Sequence, residues 1–245
     1  MKHPLTLVGG GRLGRSLHTL LTAAGWEVTV VGRALTHNWA PIVLLTVPDA
    51  AVSTVAASIP AGVTVLHSAG SLGLDALGPH AATGGSFHPL MTFPGPERGL
   101  PDLAGVPAAL AGSPAAIDAG RRLAHALGMV PLTIPGDRRL YHAAAVMAGN
   151  FATVLLADAA ALLAAAGVPS HEAGRALLPL AQASLQSAAD DPAASLTGPV
   201  ARGDEPTIEA HIAAMQAAGL DGSLALYQAL THRARQLLCN PDAMD

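Results

Sequence analysis

The amino-acid sequence predicts an α/β protein: a doubly wound, mostly parallel sheet followed by an all-helical second domain. Two observations carry this. Over residues 1–135, short apolar runs without polar alternation take turns with helical patterns, as strands covered on both faces and their crossover helices require. Over residues 136–245 only helical periodicity is found. The boundary expected between the two domains is the Pro135-Gly136 pair, a breaker dipeptide between the two regimes.

The elements follow in order. Leu5 to Val8 reads as a strand, and Leu13, Leu17, Leu20, Leu21 and Ala24 then recur at helical spacing until Gly25 supplies a stop. Residues 27–31 and 42–47 read as strands, joined by a connection too short for a full crossover helix. A helix opens near Asp49 and runs to residue 58, a strand covers 63–67, and 86–88 ends another. Residues 107–111 and 129–134 complete the sheet around a helix at 114–127. Beyond the boundary one long helix spans 139–167, with further helices at 171–189, 205–218 and 223–238. The apolar stretch 143–166 is mostly alanine and contains Asn150 and Asp158, which reads as a buried helix and not a membrane span.

Composition narrows the classes. With 51% hydrophobic residues in 245 the chain is not disordered, and with only 3% aromatics its core must be built from Ala, Leu and Val. A net charge of −4 offers no basic footprint for nucleic acid. The single cysteine, Cys239, excludes a disulfide framework and fits a reducing compartment. The first apolar run reaches Gly9 too soon to be a signal-peptide core. A soluble cytoplasmic protein with no membrane partner is expected. Eleven scattered histidines lack metal-ligand spacing, so no metal site is expected. No G-x-S-x-G elbow occurs and Cys239 lacks an activating setting, so there is no candidate nucleophile.

The strongest motif is Gly9-Gly10-Gly11-Arg12-Leu13-Gly14, a G-x-G-x-x-G between the first strand and the first helix. In that context Gly9 permits the tight turn, Gly11 lets backbone approach a pyrophosphate, and Gly14 lets helix pack on strand. Arg12 and Leu13 open the helix, whose free N–H groups and dipole attract phosphate. This is a dinucleotide-binding, or Rossmann, arrangement. At the end of the second strand, where NAD enzymes place an acid for the ribose hydroxyls, the chain has Gly32-Arg33. A guanidinium there suits a 2′-phosphate, so NADP(H) is the expected cofactor. Val47-Pro48-Asp49 ends the third strand, with Val47 and Pro48 placed to contact the nicotinamide side and Asp49 either sharing that role or capping a helix.

Two polar segments end strands on the edge where open α/β sheets bind ligands: His67-Ser68-Ala69-Gly70-Ser71 and Ser86-Phe87-His88-Pro89. Ser68 and His88 are candidate catalytic groups and His67 a candidate substrate contact, since imidazole suits proton transfer at neutral pH. Structural histidines bonded to backbone are the competing reading. The long helix contributes Tyr141-His142 and, eight residues on, Asn150. His142 and Asn150 are candidate catalytic residues, although an asparagine in so apolar a helix equally serves as a helix–helix clamp. Arg202 and Asp204, in a polar loop before a helix, are candidate substrate-binding residues, or else a pair that shapes the loop.

With these residues assembled, the strings GGGRLG, VPD, HSAG, SFHPLMTF, YHAAAVMAGN and LTGPVARGD resemble those of bacterial Rossmann-like proteins whose C-terminal half is a domain of unknown function. That group is similar to deazaflavin-dependent NADP oxidoreductases, pyrroline-5-carboxylate reductases and ketopantoate reductases. The resemblance implies a C-terminal domain like that of 6-phosphogluconate dehydrogenase and a homodimer formed through its long helix. One departure stands out. Ketopantoate and β-hydroxyacid reductases pair a lysine with an asparagine one helical turn later, and here the position four before Asn150 is Val146. The function expected is NADP(H)-dependent reduction of a small carboxylate-bearing carbonyl or imine compound. The alternative is a non-catalytic nucleotide-binding sensor or scaffold.

Overall fold

A computed structural model describes residues 3–32 and 38–239 of the chain. Residues gather into two compact units, Met1–Gly149 and Asn150–Asp245. The last strand ends at Thr133, and the first turns of the long helix group with the sheet.

The first unit is a seven-stranded sheet in the order β2-β1-β3-β4-β5-β6-β7. Its strands are β1 (His3–Val8), β2 (Trp26–Val31), β3 (Ile42–Leu45), β4 (Thr64–His67), β5 (Gly85–Pro89), β6 (Pro107–Gly112) and β7 (Val130–Thr133). All neighbours run parallel except β5 and β6, which are antiparallel. Helix α1 (Arg12–Ala23) follows β1, the 3-10 turn Asp49–Ala51 leads into α2 (Val52–Ala57) after β3, and α3 (Pro114–Ala126) joins β6 to β7. The 3-10 segment Leu74–His80 lies where no helical repeat was expected, because Gly78 breaks helical φ/ψ inside it.

Strand periodicity divides the core into two faces. Leu5, Leu7, Leu44, Leu66 and Phe87 join α1 and α3 in one cluster. Val8, Val43, Leu45 and Val65 join α2 and the 3-10 segment in the other. Successive side chains point to opposite faces, so an unbroken apolar strand feeds both layers. The chain leaves β1 for β2 on one side and returns to β3 on the other. The carboxyl ends of β1 and β3 therefore flank the point at which strand order reverses, where such sheets bind ligands.

The second unit is helical: α5 (Ala152–Ala165), α6 (Ser170–Ala188), the short α7 (Pro192–Ser195) and α8 (Gly198–Arg202), α9 (Glu205–Ala217) and α10 (Asp221–Cys239). One continuous helix of 28 residues, Arg138–Ala165, contains α4 (Arg138–Val146), a π-helical turn at Met147–Phe151, and α5. It is long and apolar enough to cross a membrane by length and composition, and its most apolar window is nowhere buried. The expectation of a buried helix is thus corrected for the single chain: Leu140 is 73% exposed, Met147 65% and Phe151 57%.

Candidate active site

The glycine loop is shaped by what surrounds it. Gly9 has φ +119°, and a Cβ there would lie 2.7 Å from the Thr46 carbonyl oxygen. A Cβ on Gly14 would collide with the carbonyl oxygen of Gly9, so this helix can meet this turn only through glycine. Thr46 Oγ1 donates to the carbonyls of Val8 (3.1 Å) and Gly9 (3.0 Å), tying the loop to the end of β3. By contrast nothing lies within 4 Å of a Cβ on Gly10 or Gly11, and Gly11 caps α1 with no side-chain hydrogen bond. The first N–H groups of α1 face an open space beside exposed Arg12, while Leu13 packs partly into the core. This cradle fits a pyrophosphate. Half-buried Val47 and exposed Pro48 follow Thr46 on the same edge. Asp49 does not cap its 3-10 turn; its carboxylate accepts a 3.4 Å bond from Ser71 Oγ. Arg33 lies outside the described residues.

A second cluster sits at the ends of β4 and β5 under the first turns of α4. His67 and Ser86 are register partners on adjacent strands, and His88 follows on the same face by strand periodicity. His88 Nδ1 and the Tyr141 hydroxyl share a 2.7 Å hydrogen bond, and the His142 ring lies edge-on to His88 with centroids 6.2 Å apart. Gly70 makes this approach feasible: a Cβ there would collide with the His142 ring and lie 3.0 Å from His88 Nε2. Arg138 Nη2 donates to the Ala69 carbonyl at 3.3 Å, and its guanidinium stands 5.7 Å from the centre of the Tyr141 ring. Asp137 caps α4 by accepting from Arg139 N at 2.8 Å, which fixes the start of the helix and the direction of these side chains.

Burial sets the charge states. His67, wholly buried, has its pKa lowered to about 4 by desolvation and then by the Arg138 charge; Asp49 and nearby backbone of Gly73 and Ala69 offset part of this. His88 is likewise lowered to about 4 by burial, Arg138 and the neighbouring histidines. Both rings are neutral at pH 7. Burial raises the Tyr141 phenol, against a smaller opposing effect of Arg138.

Of the residues expected from sequence, His67, His88 and His142 come together here. Ser68 is close in the chain, but its hydroxyl donates to the Leu45 carbonyl at 2.9 Å and ties β4 to β3. Asn150 is exposed within the π-helical turn, across which α-helical phasing to His142 does not hold. In the helical unit Asp204 caps α9, accepting from Thr207 N (3.2 Å) and Thr207 Oγ1 (2.7 Å), and Arg202 is exposed at the end of α8. Arg138, Gly70 and Thr46 were not foreseen. Their roles arise from contacts between distant segments, and the only sequence signal was a basic residue just inside a capped helix beside Tyr141-His142.

A reversing sheet order with a glycine loop between the first strand and the first helix defines a Rossmann-like fold. Residues 106–234 match the family described as Domain of unknown function (DUF2520), and the chain belongs to that family. Among solved structures it is similar to a Bacteroides fragilis protein assigned as an NADP oxidoreductase (23% identity, TM-score 0.79, covering 96% of this chain and 98% of that one). It is also similar to a Thermotoga maritima protein (22%, TM-score 0.72, 97% and 99%). A third likeness is to a reductive aminase from Aspergillus terreus solved with NADPH and ethyl levulinate (18%, TM-score 0.66, 96% and 94%). At these identities the likeness shows the fold. A search of curated proteins finds no match.

Proposed function

We propose that the protein is an NADP(H)-dependent oxidoreductase that reduces a small carbonyl or imine compound carrying a carboxylate. The observation that carries this reading is the 2.7 Å bond between His88 and Tyr141 on the sheet edge that also bears the open glycine cradle. Gly9, Gly11, Arg12, Leu13 and Gly14 would hold the pyrophosphate, Arg33 the 2′-phosphate, and Val47 and Pro48 the nicotinamide side. Bound there, NADPH supplies a hydride to the substrate carbon; the chain must supply a proton to the oxygen or nitrogen.

Tyr141 is suited to that task. Its phenol is protonated at neutral pH, and neutral His88, donating from Nδ1 to the phenol oxygen, holds it in place and leaves its single O–H for the substrate. When the proton leaves, the nearby Arg138 charge offsets the phenolate. His142, against Gly70, closes the cluster on the other side of His88. On the helical unit, Asn150, Arg202 and Asp204 are the polar groups proposed to meet substrate. The apolar helix Arg138–Ala165, whose most apolar window has no buried residue, supports a homodimer, with a second copy covering what one chain leaves bare. We place the dimer in the cytoplasm on the strength of its single cysteine.

Assays of NADPH oxidation against small 2-oxo acids and cyclic imines test the reading. Tyr141→Phe is expected to lower kcat by about a hundredfold with NADPH binding unchanged. An unaltered kcat would remove Tyr141 from the reaction. The second reading is a nucleotide-binding sensor or scaffold, favoured by the valine where related reductases carry lysine. NADPH that binds tightly yet is never oxidised by any of these compounds would establish it.

A further inference from the structure

Buried polar atoms are nearly always paired, because each orphan costs on the order of 1–3 kcal/mol. Six buried side-chain nitrogen and oxygen atoms lack a well-formed hydrogen bond among the described residues, and five of them belong to three residues of one cluster: both ring nitrogens of His67, which the backbone of Gly73 and Ala69 approaches without good geometry, Ser86 Oγ, and Nε and Nη1 of Arg138. His67 and Ser86 are register partners and share a face of the sheet. Arg138 reaches the same strand end, since its Nη2 donates to Ala69, two residues beyond His67.

What these groups have in common is the capacity to donate. The guanidinium offers three N–H donors on two nitrogens with nowhere to go, the neutral imidazole one N–H, and the serine one O–H. No carboxylate pairs with Arg138 among the described residues. Asp49, the acid that acts on His67, is exposed and takes its hydrogen bond from Ser71. The adjacent arginine shows the contrast: Arg139 is held by both oxygens of Asp137, at 2.7 Å for the closest pair. A cation shielded from water without a counter-ion is costly, and an entering anion removes that cost.

We propose that Arg138, with His67 and Ser86 beneath it, forms a binding site for a carboxylate. It rests on the oxidoreductase reading only for its purpose, which is to hold the substrate's acid group beside the Tyr141 hydroxyl. Arg138 and Tyr141 lie one turn apart on α4, so one compact molecule can engage both only if its carboxylate is within a bond or two of the reducible carbon. The substrate class is therefore the 2-oxo or 2-imino acids and their near homologues. The arginine fork, and not a single point charge, is what a planar carboxylate requires.

Calorimetric titration with oxalate, a planar and unreactive dicarboxylate, tests the site with and without saturating NADP+. The purified protein should bind one oxalate per chain and no oxamide, its neutral counterpart. Arg138→Gln should weaken oxalate at least about tenfold, Arg138→Lys should fall between, and Arg139→Gln, whose guanidinium is already committed to Asp137, should match the parent. Thermal melts identify any variant that has not folded, and the lysine variant keeps the charge if glutamine proves too disruptive. No oxalate binding by the folded parent, affinity unchanged in both Arg138 variants, or a loss confined to Arg202→Gln would each overturn the proposal. NADPH fluorescence on the same samples separates the two readings. NADPH binding without oxalate binding leaves the oxidoreductase standing and the carboxylate site refuted, and the reverse result does the opposite.

Discussion

At the scale of residues, the cluster on the sheet edge sets neutral imidazoles against an arginine, and stability should register this. The folded His67 ring has a pKa of about 4, against about 6.5 unfolded. Between those values the unfolded chain binds a proton that the folded chain refuses. The ring's contribution is therefore whole above pH 6.5 and is lost as pH falls toward 4, by on the order of 3 kcal/mol. Urea unfolding of the parent should show this fall between pH 7 and 4.5, and His67→Gln should reduce it, leaving the like contribution of His88; equal slopes would mean that His67 does not titrate as described. His67 and His88 were legible in the sequence because polar residues ending apolar strands stand out, and His142 because it stands beside Tyr141 at the head of an apolar helix. Arg138 was not, because its significance lies in a contact with Ala69 that no local pattern encodes. Ser68 looked like a catalytic residue for the same reason as the histidines, yet backbone claims its hydroxyl.

At the scale of elements, the strands and long helices were legible almost to their ends, since parallel strands and amphipathic helices leave unlike periodicities. The antiparallel turn of β6 against β5 left no such mark, nor did the 3-10 segment Leu74–His80. The long helix was read as buried from its composition, but composition reports what must be covered, not what covers it. Phe151 at the end of the π-helical turn and Val154 and Leu155 on α5 stand exposed, with Leu178 and Leu185 on α6. The helical unit also carries two largely apolar clefts of about 470 and 290 Å³, which meet at Leu162 and Tyr227. Asp158, inside the long helix, accepts a 2.7 Å bond from Ser223 of α10, an arrangement suited to a protein interior. Sedimentation of the purified protein should give a dimer without detergent, and Leu155→Glu should shift it toward monomer. A monomeric parent, or one recovered only with membranes, would contradict the assignment of this face to a second copy.

At the scale of the whole molecule, two units divide the work in sequence order. The sheet unit holds the glycine cradle and the histidine–tyrosine cluster, and the helical unit brings exposed apolar surface and a few polar side chains. The class of fold could be read from the alternation of strands with helices and from one glycine motif in its proper context. The cofactor's identity rests on less, on the absence of an acid and the presence of Arg33 after β2. Substrate identity was not legible, since it depends on how distant side chains converge. Titration of the purified protein with NADPH and with NADH, followed by nicotinamide fluorescence, tests the glycine cradle most directly. Saturable binding that favours NADPH by roughly tenfold or more is the result predicted, and failure to bind either nucleotide would contradict it.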